Sequence, residues 1–414
     1  MSLIIRDGRT DDVEPAARMA AHAFAWVGYS AAAWQQALIS SPHGGIETLR
    51  IGEEGRRAVA MCRLYDFQQW IGGEALPIMG LGMVAVSPAA RRRGLAGRMV
   101  EDALRQGRDR GALASALFPF RTSFYSRLGY GVAGEALEYR VPPAALPDDP
   151  DRVRVRLADS EADRSEIASV YDLWARAQAG QLQRSARTWD LVWRGERRHG
   201  VLYRDEAGRP AGYAVFDYPD PEAYRRPAIA IDEIAWLSRE ARMALYGWLA
   251  SLRDQVDLIV YRAHPDEGFG EHLVEQRFPA EPQPGWHLWF PAATLLLGPM
   301  FRLLDVERAW QARSVDARTG GVLSLRVEDS QLPENAGEWT LRFDSGQVDI
   351  IRGTDDSADL HLHLGIGTLS QIFIGALTPS EALARGLATS TRSERLDSFD
   401  SLLRIPRPWT FDRF

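Results

Sequence analysis

Residues 80–104, GLGMVAVSPAARRRGLAGRMVEDAL, constrain the fold more than any other stretch, because the hydrophobic pattern changes period within one turn. Gly80 to Val86 reads as a strand, Ser87-Pro88 stops it, and from Leu95 the apolar residues recur every four positions. Leu95, Met99 and Ala103 form one stripe and Ala96, Val100 and Leu104 another, the signature of a helix packed on a core. The turn between strand and helix is where a polar ligand would bind. A helix start presents unpaired N–H groups and partial positive charge, and Gly94 and Gly97 let a ligand approach the backbone closely. Arg91, Arg92 and Arg93 add paired donors suited to phosphate oxygens, so the run reads as a pyrophosphate cradle.

The cradle contains no lysine, and neither does the rest of the chain: all 49 Lys-plus-Arg positions are arginine. That excludes a P-loop, a pyridoxal phosphate Schiff base and any lysine nucleophile or base. A net charge of −7 argues against nucleic acid as the main partner. The single cysteine, Cys62, excludes internal disulfides and cysteine-based metal clusters, fits a reducing compartment, and reads as a small buried hydrophobe. Arg6 and Asp7 interrupt the opening before an apolar signal region forms, and no stretch reaches the roughly 18 apolar residues of a membrane span. The expectation is a soluble cytoplasmic protein.

Length allows two or three folded units, and two breaks in composition divide the 414 residues. PPAALPDDPD at 142–151 reads as a linker, and FPAEPQPGW at 278–286, followed by a strand-like HLWF, places a second boundary near residue 290. The expected domains are therefore 1–145, 146–290 and 291–414. In the first, Val13, Ala16, Ala17 and Ala20 mark a helix that precedes strands near 48–51, 57–67 and 78–86. The second repeats the outline, which suggests a diverged duplication. The third is expected to open with a helix over 303–313, to continue with strands in VLSLRVED, EWTLRFDSGQVDIIRG and DLHLHLG, and to close with helices and an aromatic tail.

A second landmark follows the cradle. After a strand over 113–117 comes SFYSRLGYG, a short helix around Tyr125 closed by Gly129. The spacing Arg91-x-x-Gly94-x-Ala96 resembles the acetyl-CoA motif of the GNAT (Gcn5-related N-acetyltransferase) superfamily, whose chains commonly carry such an F-Y-x-x-x-G-[FY] segment. Together with a second GNAT-like unit and an α+β third unit ending in an aromatic tail, the chain resembles the enhanced intracellular survival (Eis) family of acetyltransferases. The resemblance implies an α+β fold: two tandem GNAT-like domains, mixed sheets flanked by helices, plus a domain like sterol carrier protein 2, usually assembled as a homohexamer. It implies that the backbone of Val84, Ala85 and Val86 holds the pantetheine arm and that Arg91 to Gly97, with Leu95 and Ala96 between, holds the pyrophosphate. Phe120 and Arg121 match a further cofactor contact, Tyr125 the general acid, and the C-terminal carboxylate of Phe414 the general base. The second unit departs from this pattern: at its corresponding turn it has Ser238, Arg239 and Glu240, without glycine and with an acid that repels pyrophosphate, so one cofactor site per chain is expected.

Acetyl transfer to an amine poses a proton problem. An ammonium with pKa about 10.4 is neutral in roughly 1 of 2,500 molecules at pH 7, a cost of about 4.6 kcal/mol, and a carboxylate near 3.5 is a poor match for that proton. Loss of the proton after attack, through a water, is the favoured route; desolvation in a closed cleft is the other. For Tyr125, a phenol near 10 facing a thiol near 8.5, partial donation in the transition state is enough to help. Phe24, Trp26, Tyr29 and Trp34 form an aromatic group whose ring faces suit a cationic amine, although core packing explains them nearly as well. Arg413 beside the terminus would repel a cation, while Asp412 offers compensation, so an aminoglycoside or a lysine side chain both remain as acceptors. His361 and His363 share a strand face without a recognisable third ligand, and no metal is expected. The rival readings are a CoA-binding sensor and a lipid- or partner-binding assembly protein, neither with turnover.

Overall fold

The computed structural model describes residues 3–195, 197–276, 290–318, 320–393 and 395–414, so the proline-rich boundary at 278–286 and most of the strand-like HLWF lie outside the described residues. No helix among the described residues is long and apolar enough to cross a membrane. The chain divides into two compact units, one of residues 1–134, 179–188 and 299–414, the other of 135–178 and 189–298.

The first unit begins with β1 (Ile4–Asp7), α1 (Val13–Ala23), α2 (Ala31–Ile39), β2 (Leu49–Glu54), β3 (Arg57–Ile71) and β4 (Glu74–Val86). It continues with α3 (Leu95–Asp109), β5 (Ala114–Leu117), α4 (Thr122–Ser126) and β6 (Gly131–Val132). The helix expected from Val13, Ala16, Ala17 and Ala20 forms, and all four residues are buried. β3 and β4 make a long hairpin closed by Gly72 and Gly73 at φ 61° and 85°, the double positive φ that a two-residue turn needs to match strand twist. The cradle helix α3 buries Leu95, Met99, Val100, Ala103 and Leu104 as its stripes require.

The second unit is built on β7 (Glu135–Val141), β8 (Val155–Leu157), β9 (Arg198–Arg204), β10 (Pro210–Asp217), β11 (Ala228–Trp236), β12 (Leu258–Ala263) and β13 (Thr294–Leu297). They form one sheet in the order β13-β7-β12-β11-β10-β9-β8. The helices along this stretch are α5 (Glu161–Arg176), α6 (Ala186–Val192), α7 (Pro221–Tyr224) and α8 (Arg239–Ala250). β7, grouped by composition with the first piece, pairs here with β12 and β13.

The chain then returns to the first unit with β14 (Met300–Leu303), which lies between β5 and β6 and completes the sheet β1-β2-β3-β4-β5-β14-β6. The helix expected over 303–313 is therefore shorter: Leu303 ends a strand, Asp305 caps the next helix by accepting from the Arg308 N–H, and α9 runs Val306–Ala312. Short apolar runs such as MFRLL do not distinguish strand from helix by period alone. β15 (Gly321–Glu328), β16 (Gly337–Asp344), β17 (Gln347–Arg352), β18 (Leu360–Gly365) and β19 (Ala388–Arg392) make a separate sheet in the order β17-β16-β15-β18-β19. α10 (Ile366–Ile374), α11 (Pro379–Ala384) and α12 (Leu396–Leu402) complete this part. Leu323, Leu325, Leu341, Leu362 and Leu364 share one apolar cluster with Ile78, Ala114 and Ala116, so the C-terminal sheet and the first sheet are bonded by a continuous core.

Candidate active site

The site begins where β4 leaves its neighbour. β5 pairs with β4 only from Ile78 to Gly80, and β4 carries a bulge opposite Met61–Arg63 with Met83 at φ 51°. Beyond Gly80, among the described residues, no strand pairs with β4 on its β5 side, which leaves the backbone at Met83–Val86 an edge to which an extended chain of amides can add. Val84 and Val86 are half-buried and Ala85 buried, so the edge lies in a partly apolar cleft.

The turn after β4 ends at Gly94, at φ 76°, the N-cap of α3, with no side chain capping the helix and no acid in its first turn. Leu95, Ala96 and Gly97 thus direct first-turn N–H groups outward without a capping partner, and the macrodipole favours negative charge there. A Cβ placed on Gly97 would meet nothing within 4 Å, so the fold gives no packing reason for glycine in this turn. Arg91, Arg92 and Arg93 are exposed. Arg93 pairs with Glu54 at 2.8 Å, and Arg91 Nε donates to the Val86 carbonyl at 3.4 Å. In the second unit the corresponding helix start is filled. Ser238 accepts from the Ala241 N–H, and Glu240 stands in the first turn of α8. The half-buried Glu267 accepts from both Tyr246 and Tyr261 at 2.6 Å, tying α8 to β12. Burial raises the Glu267 carboxyl to about 7 against the pull of those two hydrogen bonds.

Tyr125 lies on α4, buried against Phe124, Phe120 and Tyr130 at ring separations of 4.9, 5.5 and 5.9 Å. Its hydroxyl has no hydrogen-bond partner among the described residues, and burial, reinforced by Tyr130, pushes the phenol above its ordinary value. α4 is held from β14: Arg302 Nη1 donates to the Leu128 carbonyl at 2.7 Å, and Nη2 bonds both oxygens of Asp329 at 2.8 Å in a fully buried pair. The guanidinium passes through the space a side chain at Gly129 would occupy. Tyr130 and Ser115 share a 2.7 Å hydrogen bond that fixes the far side of the same turn.

Phe414 reaches this cleft. The Phe414 ring lies 4.9 Å from Phe67, 5.5 Å from Phe118 and 6.3 Å from Tyr65. Gly80 makes the room: a Cβ there would collide with the Phe67 ring and stand 3.0 Å from Phe414, while one at Gly82 would stand 2.6 Å from the Tyr65 ring. His43 meets Phe67 edge-on at 5.1 Å, and burial, with help from the Arg63 charge, holds its imidazole below the usual value against the pull of the Arg413 backbone. Asp412, offered by the sequence as compensation for Arg413, is buried and pairs with Arg184 at 2.9 Å.

Of the other residues singled out from sequence, Phe120 is 66 % exposed at the mouth of α4, and Arg121 is the N-cap residue of α4. Trp34 is buried in the α1–α2 core against Phe24 at 5.7 Å and Tyr29 at 5.2 Å, whereas Trp26 is 84 % exposed. The sequence reading missed His43, Tyr65, Phe67, Phe118 and Arg302. Only Gly80 and Gly82 carried a local signal, since glycine within a strand marks a close approach. Cys62 is buried, its thiol pushed up to about 12 by burial. His363 Nε2 is 2.8 Å from Glu328, and the described residues hold no group of three His, Cys, Asp or Glu arranged for a metal.

Comparison with known proteins fits this geometry. Residues 4–133 and 180–302 each match an acetyltransferase (GNAT) domain model, together more than half the chain, and 306–411 match the sterol carrier protein domain. The N-acetyltransferase Eis of Mycobacterium tuberculosis is 26 % identical over 90 % of this chain and 89 % of its own length. An uncharacterized N-acetyltransferase of Streptomyces avermitilis is 25 % identical over 83 % and 82 %. A GCN5-related N-acetyltransferase from Anabaena variabilis superposes over the full length of both chains with a TM-score of 0.86 at 19 % identity, a likeness of fold. The chain belongs to the GNAT acetyltransferases: it is an N-acetyltransferase built, as the Eis resemblance implied, from two GNAT domains and a C-terminal sterol carrier protein domain.

Proposed function

We propose that this N-acetyltransferase takes its acetyl group from acetyl-CoA and passes it directly to an amine, without a covalent enzyme intermediate. The observation that carries this reading is the uncapped, acid-free start of α3 beside the open edge of β4, with glycine at 97 where packing does not ask for it. The N–H groups of Leu95, Ala96 and Gly97, with Arg91, Arg92 and Arg93, hold the diphosphate, and Val84 to Val86 bind the pantetheine amides as an added strand. Phe120 and Arg121 give a further contact. One such site per chain follows from the capped, acidic start of α8.

In the reaction the neutral fraction of the amine, its ammonium proton already lost to water, attacks the thioester carbonyl carbon through the nitrogen lone pair, the C–N bond forms, and the carbonyl electron pair moves to oxygen. Collapse breaks the C–S bond and leaves the pair on sulfur as a thiolate, toward which the Tyr125 hydroxyl donates a hydrogen bond and which takes its proton from solvent. The nitrogen proton leaves after attack, when the adduct is far more acidic than an ammonium, to the Phe414 carboxylate through a water. Because the Tyr125 phenol is raised, hydrogen-bond donation to sulfur rather than complete transfer is its contribution. The acceptor is a small-molecule or peptide amine; an aminoglycoside and a lysine side chain are the two classes carried forward, and Phe24, Trp26 and Trp34 are its proposed aromatic contacts. The reading includes a cytoplasmic homohexamer, supported by the Eis resemblance.

Purified protein with acetyl-CoA and a panel of polyamines, lysine peptides and aminoglycosides is expected to release free thiol in step with acetylated amine. CoA binding without thiol release above background for any amine would reject turnover in favour of a sensor or assembly role.

A further inference from the structure

The tail that brings Phe414 to β4 does not lie loose. Residues 179–184 run between β3 and the tail. On one side, the Trp70 N–H donates to the Gln181 carbonyl, the Gly180 N–H to Trp70 and the Gln183 N–H to Gln68, each at 2.8 Å. On the other, the Trp409 N–H donates to the Ala179 carbonyl at 2.8 Å. Gln181, fully buried, then grips the tail with its side chain: Nε2 donates to the Trp409 carbonyl at 3.0 Å and Oε1 accepts from the Phe411 N–H at 3.2 Å. The carboxamide thus stands in for a peptide group, continuing a ladder where backbone pairing has stopped. One residue further, Arg184 Nε meets Asp412 Oδ1 at 2.9 Å, with the two side chains 0 % and 5 % exposed.

We propose that Gln181 and Arg184 are positioning residues for acetyl transfer, a two-point clamp that aims the terminal carboxylate of Phe414; the inference rests on that carboxylate acting as base. Chain ends ordinarily fray, and an end used as a base needs an external register. Gln181 fixes the tail backbone at Trp409 and Phe411, before Phe414. Arg184 neutralises the acid two residues before Phe414, so the tail carries a charge-paired Asp412 close to its end in sequence. The titratable and charged groups near the tail's end are Arg184 and Asp412, His43 and Arg63, Tyr65 beside the Phe414 ring, and Arg413 itself.

The test uses the full-length protein with acetyl-CoA and whichever amine gives the highest thiol release. Gln181→Met and Arg184→Met are expected to lower kcat at least tenfold while CoA binding, measured by titration calorimetry, stays within twofold of wild type. Arg184→Lys is expected to recover most of the rate, and Arg184→Met to move the acidic limb of the kcat profile upward, since removing this positive charge beside Asp412 disfavours a second negative charge nearby. If Arg184→Met fails to fold, Gln181→Met decides alone, being uncharged. Wild-type kcat in Gln181→Met overturns the clamp, as does a parallel loss of CoA binding, which would make the role merely structural. A chain carrying one extra glycine after Phe414 separates the two claims: if it is inactive while Gln181→Met is fully active, only the clamp falls; if it is fully active, the carboxylate reading falls first.

Discussion

Gly97→Ala separates binding from folding at the cradle. In most helices glycine is the weaker choice, and replacing it with alanine stabilises by about 0.5–1 kcal/mol through the unfolded chain and helix propensity. Nothing lies within 4 Å of the added methyl, so this gain is not offset by a clash within the protein. The cost falls on the ligand. A hydrogen bond from a backbone N–H to a charged oxygen contributes about 1.5–3 kcal/mol, and displacing the diphosphate from one of them weakens binding about tenfold to 150-fold. Thermal denaturation should give a midpoint at or above wild type, while the KM for acetyl-CoA rises at least tenfold. Gly94→Ala supplies the contrast: at φ 76° an alanine is strained by about 1–2 kcal/mol, so both stability and affinity should fall. A Gly97→Ala protein that is at least as stable as wild type and binds acetyl-CoA equally well would refute the cradle.

Three further outcomes follow. Tyr125→Phe should lower kcat by about 100-fold or more with little change in CoA binding; because burial holds the phenol above its ordinary value, wild-type kcat should not decline as pH rises toward about 10 from loss of this proton. His43, held below its usual value in the folded state, stays neutral where the unfolded chain takes up a proton. Its contribution is neutral above about pH 6.5 and destabilising as pH falls below that, so His43→Leu should flatten the acid side of a denaturation-midpoint profile. Arg302→Met removes the guanidinium paired with the fully buried Asp329 carboxylate, which keeps hydrogen bonds from Gln331, Leu332 and Asn335, and should cost about 3–5 kcal/mol by urea unfolding, whereas Arg302→Met with Asp329→Asn, which drops the charge but keeps an oxygen acceptor for those donors, should recover part of it.

What the sequence shows and what it hides divide along a physical line. The strand, turn and helix of the cradle are legible because their period and turn residues are local, and the same holds for α1 and for the alternating apolar residues of β15, β16 and β18. β14 is hidden because the short run MFRL carries no period, and the decision to pair with β5 and β6 depends on partners far upstream in the chain, Ala114–Leu117 and Gly131–Val132. For the same reason β7 reads with the piece it follows rather than with β12 and β13. Gln181 and Arg184 leave no pattern at all, since a side-chain clamp on a distant tail has no spacing rule. The aromatic group at 24–34 shows the converse case: composition marks Phe24, Trp26 and Trp34 alike, but the fold buries Trp34, half-buries Phe24 and exposes Trp26.

The most direct measurement is an electron-density map of the full chain with CoA bound. The account predicts the diphosphate within hydrogen-bonding distance of the N–H groups of Leu95, Ala96 and Gly97, the pantetheine amides paired along Met83 to Val86, and the sulfur facing Tyr125. A map that places CoA at α8, or anywhere that leaves the start of α3 bare, contradicts it.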